Sequence, residues 1–599
     1  MQKIFDIKPY VAEFNDTGNS ILNDILKNKI NFVKEGLKKI LLVSPLQIPS
    51  NFFDIGMAKR NRYFSYPPYG LGLIATELKS NGFEVEIIDL NFLALSNPEK
   101  FNAEKDFFEK VEIEKILKAF KPDAVGITCM FTLTHESFKK EIQIIKDLNP
   151  KLLIFAGGVH ITNDPIRIKK EIPEIDYILP HESEAEFSNL LVAVNKRVFQ
   201  EKTKSKIQED KPLQIHSEKN VEKSIPDYCG LNISDFSRYG EVGAYRFWWR
   251  ENTVAATVQG NRGCRAHCTF CSVEHFNGKG VRGRSVDSII EELSQYKEKY
   301  GVNHIMWLDD DLFYNPKRAI ELFSKMKDSK LDITWDASNG VIASAVSNEL
   351  LAACAESGCI GMHVGIESGS SRILREIKKP SGVKHFLRLG EWLKNYPQIF
   401  TKGFLIMGFP NESFGDLLDT INLATEMSLD WYTVSVLTPL PSTKIYDQMA
   451  EIGLIDVEKV DTKEVNYGSM QTGTQKKLEE SRKTSLNEIL KINSFSKSEL
   501  LPRDQLSELW FEVDYEINYK KIFTEKDLKR LNKLSVFLKD INKRMTNFSN
   551  PISLYFEHVV NNQLGSKHTE KLLEQAKFHV NDSNLWAQRV SHLNLKELV

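Results

Sequence analysis

Three of the seven cysteines in this 599-residue chain lie within eight positions, at the spacing Cys264-x3-Cys268-x2-Cys271. Cysteine thiolates at such short spacing are typical metal ligands. With His275 as a fourth ligand they would form a structural zinc site. Three thiolates alone can instead hold a [4Fe–4S] cluster and leave one iron open. A third possibility is that the cysteines only happen to be neighbours.

The position of the trio favours the cluster. It directly follows a predicted strand at 253–260, which opens a series of strands alternating with helices. The later strands are predicted at 304–311, 333–340, 361–368, 401–409 and 431–440. Six such units are typical of a partial or complete barrel, and barrels carry their chemistry at the carboxyl ends of the strands. A structural zinc site has no reason to lie there.

The trio resembles the signature of the radical S-adenosylmethionine (SAM) superfamily, in which an aromatic residue precedes the last cysteine. Phe270 occupies that position here. In that family SAM chelates the open iron through its amino and carboxylate groups, and the reduced cluster cleaves it to a 5'-deoxyadenosyl radical. The resemblance therefore implies that no fourth protein ligand is needed.

The resemblance also implies SAM contacts near the ends of the later strands. The candidates are Asp309, Asp310, Asp311, Ser338, Glu367 and Gly408. The three aspartates in "WLDDDLF" would meet the SAM amino group, or else cap the following helix. Glu367 in "GIESGS" would make a polar contact, and the backbone at Gly408 in "GFLIMGFPNES" would approach the adenine. Ser338 would contact the SAM carboxylate or ribose, or lie at the surface.

A second series of alternating elements precedes the barrel. Strands are predicted at 38–45, 83–90, 122–130, 151–160 and 175–180, with helices between them. Right-handed crossovers then give a doubly wound parallel sheet. Segments 66–90, 155–160 and 180–187 resemble the cobalamin-binding (B12-binding) domain that precedes many radical SAM barrels. A sheet of this shape that binds no cofactor is the alternative.

This second resemblance implies cobalamin contacts at Thr128, Gly157, Gly158, Val159, His160 and Glu182. The two glycines would let the nucleotide tail approach the backbone without a Cβ in the way. His and Ser replace the glycines of the family's Gly-Glu-Gly-Glu loop in "PHESEAEF". The loop at 44–56 contains no histidine, so we expect no histidine ligand to cobalt.

The predicted fold class is α/β, with a Rossmann-like B12-binding domain, a (β/α)6 partial TIM barrel of radical SAM type and a helical C-terminal domain. The expected domains are a helical lead-in (1–36), the cobalamin-binding domain (37–200), a linker (201–249), the radical SAM barrel (250–450) and the helical domain (451–599). In the last of these, Trp510, Phe511, Tyr515 and Tyr519 form a stripe typical of a helix core.

Composition excludes other classes. Lys and Arg number 79 against 81 for Asp and Glu, which leaves no basic excess for nucleic acid. No apolar run is long enough to predict a transmembrane segment. Clustered cysteines in so long a chain indicate a reducing compartment, so a cytoplasmic location is expected.

The two resemblances together imply a cobalamin-dependent radical SAM enzyme. It would most often methylate an unactivated carbon or a phosphorus via methylcobalamin, on a small-molecule or natural-product substrate. Reduction would come from an external electron donor of the flavodoxin or ferredoxin type. One alternative keeps both cofactors but cyclises, rearranges or oxidises the substrate without methyl transfer. Another is a non-catalytic metal-binding scaffold.

Overall fold

A computed structural model describes seven ranges of the chain: 17–50, 53–105, 107–203, 225–455, 495–544, 550–567 and 569–598. The beginning of the predicted lead-in, the middle of the predicted linker and residues 456–494 of the predicted helical domain lie outside these ranges. Among the described residues, no helix is long and apolar enough to cross a membrane.

The N-terminal domain is built on a five-stranded parallel sheet with the order β2-β1-β3-β4-β5. Its strands are β1 (Lys39–Ser44), β2 (Glu84–Asp89), β3 (Ala124–Thr128), β4 (Leu153–Gly157) and β5 (Tyr177–Leu179). Its helices are α1 (Thr17–Asn28), α2 (Ile55–Lys59), α3 (Tyr69–Ser80), α4 (Leu90–Ser96), α5 (Pro98–Glu104), α6 (Phe108–Phe120), α7 (His135–Leu148), α8 (Val159–Asn163), α9 (Pro165–Glu171) and α10 (Glu184–Thr203).

Both faces of this sheet are buried, which explains why its strands are almost continuously apolar. In β1, Ile40 and Leu42 pack in one core cluster, and Leu41 and Val43 pack in another. The strand order reverses between β1 and β3, and the carboxyl ends of the strands flanking such a point form a ligand crevice. The predicted doubly wound sheet is therefore confirmed.

The central domain is an open barrel of six parallel strands in the order β13-β12-β11-β10-β9-β6. These strands, with a two-stranded antiparallel hairpin of β7 and β8, are β6 (Ala255–Val258), β7 (Asn261–Arg262), β8 (Arg282–Gly283), β9 (His304–Trp307), β10 (Thr334–Val341), β11 (Cys359–Glu367), β12 (Phe400–Met407) and β13 (Trp431–Val436). Strands β6 and β13 are the two edges, so this is the partial barrel that the sequence predicts.

Helices cover the outside of the barrel. They are α11 (Ser234–Tyr239), α12 (Val273–Asn277), α13 (Val286–Tyr300), α14 (Pro316–Asp328), α15 (Asn348–Glu356), α16 (Ser371–Glu376), α17 (Val383–Leu393), α18 (Phe414–Met427) and α19 (Lys444–Glu451). Helix α13 shows how the local sequence sets the bounds. The Ser285 hydroxyl accepts the amide of Ser288 at its start, and Gly301 ends it at φ +69°.

The C-terminal helices cover the β13 edge. They are α20 (Leu506–Asp514), a π-helical turn (Tyr515–Tyr519), α21 (Leu528–Arg544), α22 (Pro551–Gln563), α23 (Glu570–Asn581) and α24 (Asn584–His592). The Asn518 side chain bonds both the amide and the carbonyl of Tyr432, each at 2.8 Å, and so replaces a missing neighbouring strand. Phe511, Tyr515 and Tyr519 are buried, as the stripe predicts.

The predicted linker differs most from the structure. Helix α10 continues to Thr203, and the chain from residue 225 onward packs against both domains. Tyr228 is buried, and the Tyr245 ring lies so close to Gly361 that any side chain there would come within 2.4 Å of it. The polar composition of the segment concealed these few apolar anchors, of which Tyr245 packs against β11 and Tyr228 contacts Tyr296 of α13.

Candidate active site at the facing ends of the two sheets

The cysteine loop lies between β7 and α12, at the carboxyl end of β6. Gly263 enters it at φ +86°, where a side chain would clash with the carbonyl of Gly280. The amide of Thr269 donates to the carbonyl of Ile377 at 3.0 Å, and the amide of Ile445 donates to the carbonyl of Thr269 at 3.0 Å. Segments from the fourth and sixth barrel units therefore hold the loop on both sides.

The three thiols share an environment that favours their protonated form. Burial raises the pKa of Cys264 to about 11 and that of Cys268 to about 12, and it also raises the pKa of Cys271. The Lys379 ammonium opposes this rise at Cys268 and Cys271. A bound metal takes thiolates and releases their protons, so metal binding would ionise these thiols.

The arrangement of the described residues does not match a single zinc ion. Four ligands around one zinc would place the sulfurs about 3.8 Å apart. Within the described ranges, three ligand atoms lie within 4.8 Å of one another only at His135, Glu136 and Glu171, not at the cysteines. His275 faces the N-terminal domain, where its Nε2 donates to the carbonyl of Thr162 at 3.2 Å. The zinc interpretation therefore lacks its fourth ligand.

Asp309 and Asp311 hold the cysteine loop in place. Asp311 forms a two-point ion pair with Arg265, with Oδ2 at 2.7 Å from Nε and Oδ1 at 2.8 Å from Nη2. Asp309 accepts the amide of Gly260 at 2.8 Å, while its other oxygen is buried without a hydrogen-bond partner. Burial raises the pKa of Asp309 to about 7.

Asp310 lies between these two and accepts the side-chain amide of Asn277 at 3.0 Å. Burial raises the pKa of its carboxyl group to about 6. The alternative that the three aspartates cap the next helix is wrong, because Asn315 caps α14 by accepting the amide of Arg318. Their places around the cysteine loop keep them as candidate SAM contacts.

Glu367 ends β11 in the left-handed region, at φ +67°, which is costly for a residue with a side chain. Its carboxylate accepts from the Lys379 ammonium at 2.7 Å, and each side chain is 9% exposed. This ion pair lies beside the cysteine loop, since Lys379 acts electrostatically on Cys268. Lys379 is a site residue that the sequence analysis missed, because only the fold brings "IKKP" against the cysteines.

Gly408 lies in a tight turn after β12, at φ +86°. Its amide donates to Glu412 Oε2 at 2.5 Å, and its carbonyl accepts from Arg503 of the C-terminal domain at 3.1 Å. Burial raises the pKa of Glu412 to about 8. Phe270 is half-buried and its ring lies 6.2 Å from that of Phe409, so this turn adjoins the cysteine loop.

The Ser338 side chain contacts the segment around Ala244 rather than the mouth of the barrel. Its hydroxyl donates to Asp336 and accepts the amide of Ala244 at 2.9 Å. Asp336 in turn pairs with Nε2 of His304 at 3.0 Å. The surface alternative for Ser338 is wrong, because the residue is buried in this polar chain.

The glycine turn of the N-terminal domain follows β4. Gly158 has φ +108°, and a side chain there would come within 2.5 Å of the carbonyl of Cys129. At Gly157 a side chain would lie 3.2 Å from the carbonyl of Leu179. The backbone itself therefore requires glycine at position 158, and the turn at residues 157–158 presents no side chain at the carboxyl edge of the sheet.

The same edge carries exposed apolar surface that the sequence analysis missed. Met130 is 48% exposed and Phe131 is 50% exposed, directly after β3 and the half-buried Thr128. Together with the glycine turn, these two side chains lie at the carboxyl edge where open α/β sheets bind ligands. A broad, flat and partly apolar ring system such as a corrin fits this edge. Apolar residues immediately after a buried strand are the signal that was available.

His160 is turned into the domain. Its Nε2 lies 3.0 Å from Nδ1 of His135 and its Nδ1 lies 3.1 Å from the Thr132 hydroxyl, so both ring nitrogens are engaged. Burial lowers its pKa to about 3 and keeps the ring neutral. Val159 is the first residue of α8 and is half-buried. The predicted contact at His160 is therefore better described as a buried hydrogen-bonding residue.

The two candidate sites face each other. Helix α8, which follows the glycine turn, packs against α12, which follows Cys271. The Ser442 hydroxyl after β13 donates to the side chain of Asn163 at 3.3 Å across the same interface. Glu182, predicted to contact cobalamin, instead pairs with Arg262 and Arg282 of the barrel. The interface thus joins the cysteine loop to the glycine turn.

Comparisons with known proteins match the same two regions. Residues 258–424 match the Radical SAM superfamily, and residues 57–191 match the B12 binding domain. Each match contains its candidate site, with the cysteines in the first and the glycine turn in the second.

Two relatives and one solved structure extend the comparison. An uncharacterized methyltransferase of Pyrococcus horikoshii is 30% identical over 389 residues, which is 64% of this chain and 78% of the relative. Cytidylyl-2-hydroxyethylphosphonate methyltransferase of Streptomyces wedmorensis is 25% identical over 427 residues, or 65% and 79%. The solved structure is that of the cobalamin-dependent S-adenosylmethionine radical enzyme OxsB with aqua-cobalamin and S-adenosylmethionine bound. It shares the fold at a TM-score of 0.51 and 16% sequence identity, and the match covers 94% of this chain and 81% of that one. The chain therefore belongs to the radical SAM superfamily, among the members that carry a B12-binding domain.

Proposed function

We propose that this protein is a cobalamin-dependent radical SAM methyltransferase that acts on an unactivated carbon or a phosphorus of a small molecule. The packing of α8 against α12 carries the proposal, because it brings the B12-binding edge beside the cysteine loop. Methyl transfer needs both cofactors to reach one substrate, and this interface supplies the shared place. The methyltransferase names of the two relatives support the same activity.

When bound, the cluster and SAM supply a hydrogen-abstracting radical, and cobalamin supplies a carrier for the methyl group. The chain holds the cluster through Cys264, Cys268 and Cys271. Lys379 provides positive charge beside the thiolates and stabilises their ionised form. Its partner Glu367 gives SAM a carboxylate that is already desolvated and fixed in position.

The backbone turns around the cysteine loop orient SAM. The amide of Gly408 is held by Glu412, and its carbonyl by Arg503, so the turn after β12 has one shape. On the other domain, the bare turn at Gly158 and the apolar pair Met130 and Phe131 accept the corrin. The packing of α8 against α12 brings the two edges together and would limit the access of water to the radical.

An external one-electron donor of the flavodoxin or ferredoxin type completes the proposal, because each reductive cleavage of SAM consumes one electron that must be supplied again. All seven cysteines are free thiols, which suits a reducing cytoplasm. The substrate is proposed to be a small molecule, as the name of the Streptomyces relative indicates for that enzyme.

The test is anaerobic purification from cells supplied with cobalamin, followed by turnover with SAM and a chemical reductant in a cell extract containing small molecules. We expect a reduced-cluster signal and a cobalt(II) signal without nitrogen splitting in electron paramagnetic resonance. We also expect S-adenosylhomocysteine and 5'-deoxyadenosine to form together with a methylated product. Deoxyadenosine with a rearranged product and no linked S-adenosylhomocysteine would replace methylation with cyclisation or rearrangement. Stoichiometric zinc without either signal would contradict the enzyme assignment.

A further inference from the structure

A group of partly buried ion pairs joins the two candidate cofactor sites. Glu182 Oε2 lies 3.2 Å from Arg262 Nη1, and its other oxygen pairs with Arg282. Glu184 Oε1 lies 2.6 Å from Arg262 Nη2. The two glutamates belong to the N-terminal domain and the two arginines to the β7–β8 hairpin of the barrel. We call these four residues the interdomain clamp.

The clamp is balanced in charge and largely shielded from water. Two carboxylates face two guanidinium groups, and the side chains of Glu182 and Arg262 are 11% and 13% exposed. Charge-assisted pairs in which one guanidinium spans two carboxylates fix geometry as well as energy. An ion pair at so low an exposure is screened little by salt. The clamp therefore restrains how the two domains can move against each other.

Each side of the clamp is adjacent to one candidate cofactor site. Arg262 is two residues before Cys264, and Arg282 also donates to the carbonyl of Asn277 at 2.9 Å, which is the residue that binds Asp310. On the other side, Glu182 follows β5 at the same carboxyl edge of the sheet as the glycine turn. The clamp thus spans the gap between the cysteine loop and the cobalamin edge.

Two backbone-directed histidine bonds show that this contact has a defined register. Nδ1 of His181 lies 3.3 Å from the carbonyl of Phe276, and Nε2 of His275 lies 3.2 Å from the carbonyl of Thr162. Carbonyls only accept, so each imidazole nitrogen carries a proton and donates across the interface. A sliding contact would not keep two such bonds beside the ion pairs.

We propose that the interdomain clamp sets the distance and orientation between the cobalamin site and the cluster site, which makes its four members positioning residues. The proposal rests on the proposed function, since it takes both cofactors to be bound at these sites. It also assigns Glu182 a role different from the cobalamin contact that the sequence predicts. A displacement of about 1 Å between reacting groups can cost about a hundredfold in rate, so such a restraint has a direct use.

The test compares Glu182→Gln with a control, Asp227→Asn, which weakens the Lys79–Asp227 ion pair between α3 and the segment that precedes the barrel. The anaerobic holoenzyme is loaded with both cofactors, and their contents are measured. The microwave power that saturates the cobalt(II) signal is then recorded with the cluster oxidised and reduced. A reduced cluster nearby speeds cobalt relaxation, so the ratio of the two powers reports their separation. We expect Glu182→Gln to bind both cofactors and lose this enhancement, and Asp227→Asn to keep it.

Hydrogen–deuterium exchange on the cofactor-free proteins provides a second measurement. We expect faster exchange in segments 180–187 and 261–284 of Glu182→Gln, with Asp227→Asn unchanged there. Unchanged enhancement or unchanged exchange in Glu182→Gln would overturn the clamp. Loss of cobalamin from that variant with normal exchange would also overturn it, because Glu182 would then be a direct contact. A wild-type protein that binds no cobalamin would contradict the proposed function instead, and the exchange result alone would then decide whether the clamp links the two segments.

Discussion

Each of the two parallel sheets of this protein has its candidate site at the carboxyl ends of its strands, but the two sites consist of different kinds of groups. At the barrel mouth the parts are reactive and charged side chains, namely the cysteine trio and the buried pair of Glu367 and Lys379. At the edge of the N-terminal sheet the parts are a bare turn at Gly158 and the exposed apolar pair Met130 and Phe131. A metal cluster needs specific donor atoms, whereas a large flat cofactor needs shape and apolar area. Substitutions should therefore affect one site through chemistry and the other through shape.

The largest expected effect is at the barrel. Cys268→Ala removes one of the three proposed iron ligands, and we expect formation of 5'-deoxyadenosine to fall below detection. Cobalamin should stay bound, because its edge belongs to the other domain. The measurement is deoxyadenosine by chromatography together with the iron and cobalt content of anaerobically purified protein. Loss of cobalamin from a folded Cys268→Ala protein would show that the two sites are not separate.

A matched control for that variant is Cys229→Ser. Cys229 is a half-buried thiol in the segment before the barrel and lies away from the trio in sequence. We expect iron content and deoxyadenosine formation to match those of the wild type. A comparable loss in Cys229→Ser would mean that the effect of Cys268→Ala reflects general damage to the fold.

The corresponding change at the sheet edge is Gly158→Ala. The new methyl group would lie within 2.5 Å of the carbonyl of Cys129, so the turn must move. Backbone strain of this kind costs about 1–3 kcal/mol, and the rearranged edge should lose most of its cobalamin. The cluster and deoxyadenosine formation should remain. Cobalt and iron contents of the purified variant measure both outcomes.

Gly82→Ala tests whether backbone strain in the N-terminal domain releases cobalamin when the shape of the glycine turn is unchanged. Gly82 also has a positive φ, +86°, but no atom lies within 4 Å of the added methyl group. We expect about 1 kcal/mol of destabilisation and normal cobalamin content, measured by thermal unfolding and cobalt analysis. Equal loss of cobalamin in Gly82→Ala and Gly158→Ala would mean that strain anywhere in the domain releases the cofactor.

The sequence predicted the barrel site better than the sheet edge, and the reason is physical. Cys264, Cys268 and Cys271 are adjacent in the chain, so their spacing alone encodes the ligand geometry. Alternating buried strands likewise predicted both sheets, because parallel strands covered on both faces are almost continuously apolar. The site at the sheet edge depends on which loops meet, and the signal that Met130 and Phe131 offered was their position after a buried strand rather than a reactive group.

Tertiary contacts explain what the sequence analysis missed. Lys379 reaches the cysteines only because the loop after α16 packs on the cysteine loop. Glu182 was predicted to contact cobalamin, but the β7–β8 hairpin places Arg262 and Arg282 against it. In the predicted linker, isolated apolar residues such as Tyr245 anchor a segment whose average composition is polar. Pairings between distant segments leave no periodic pattern in the chain.

A smaller effect is expected from Lys379→Met, which tests whether charge at the barrel site matters beyond the cysteines. Breaking a buried pair leaves an uncompensated charge on Glu367, which typically costs about 3–5 kcal/mol. We expect the change in SAM affinity to be smaller than this cost. SAM should bind roughly tenfold more weakly, which corresponds to about 1.4 kcal/mol. Equilibrium binding of SAM to the cluster-loaded protein measures the change. Lys378→Met, at the exposed neighbouring position, should bind SAM as the wild type does; equal weakening there would assign the effect to the loop as a whole.

The smallest expected effect is a pH dependence of folding stability. It arises at the turn after β12 in the barrel, and we expect no counterpart at the glycine turn. Burial raises the pKa of Glu412 from 4.5 to about 8, so the folded protein keeps this carboxyl protonated at neutral pH. Below the unfolded pKa both states are protonated and the group costs nothing. Between about pH 4.5 and 8 only the unfolded state ionises, so stability falls by up to a few kcal/mol and is level above pH 8.

Glu412→Gln should remove this slope, seen as a denaturation midpoint that rises relative to the wild type from pH 5 to 8. Asp416→Asn is the control, because hydrogen bonds from Arg372 outweigh burial and hold the pKa of Asp416 at about 2, which moves its own pH dependence below this window.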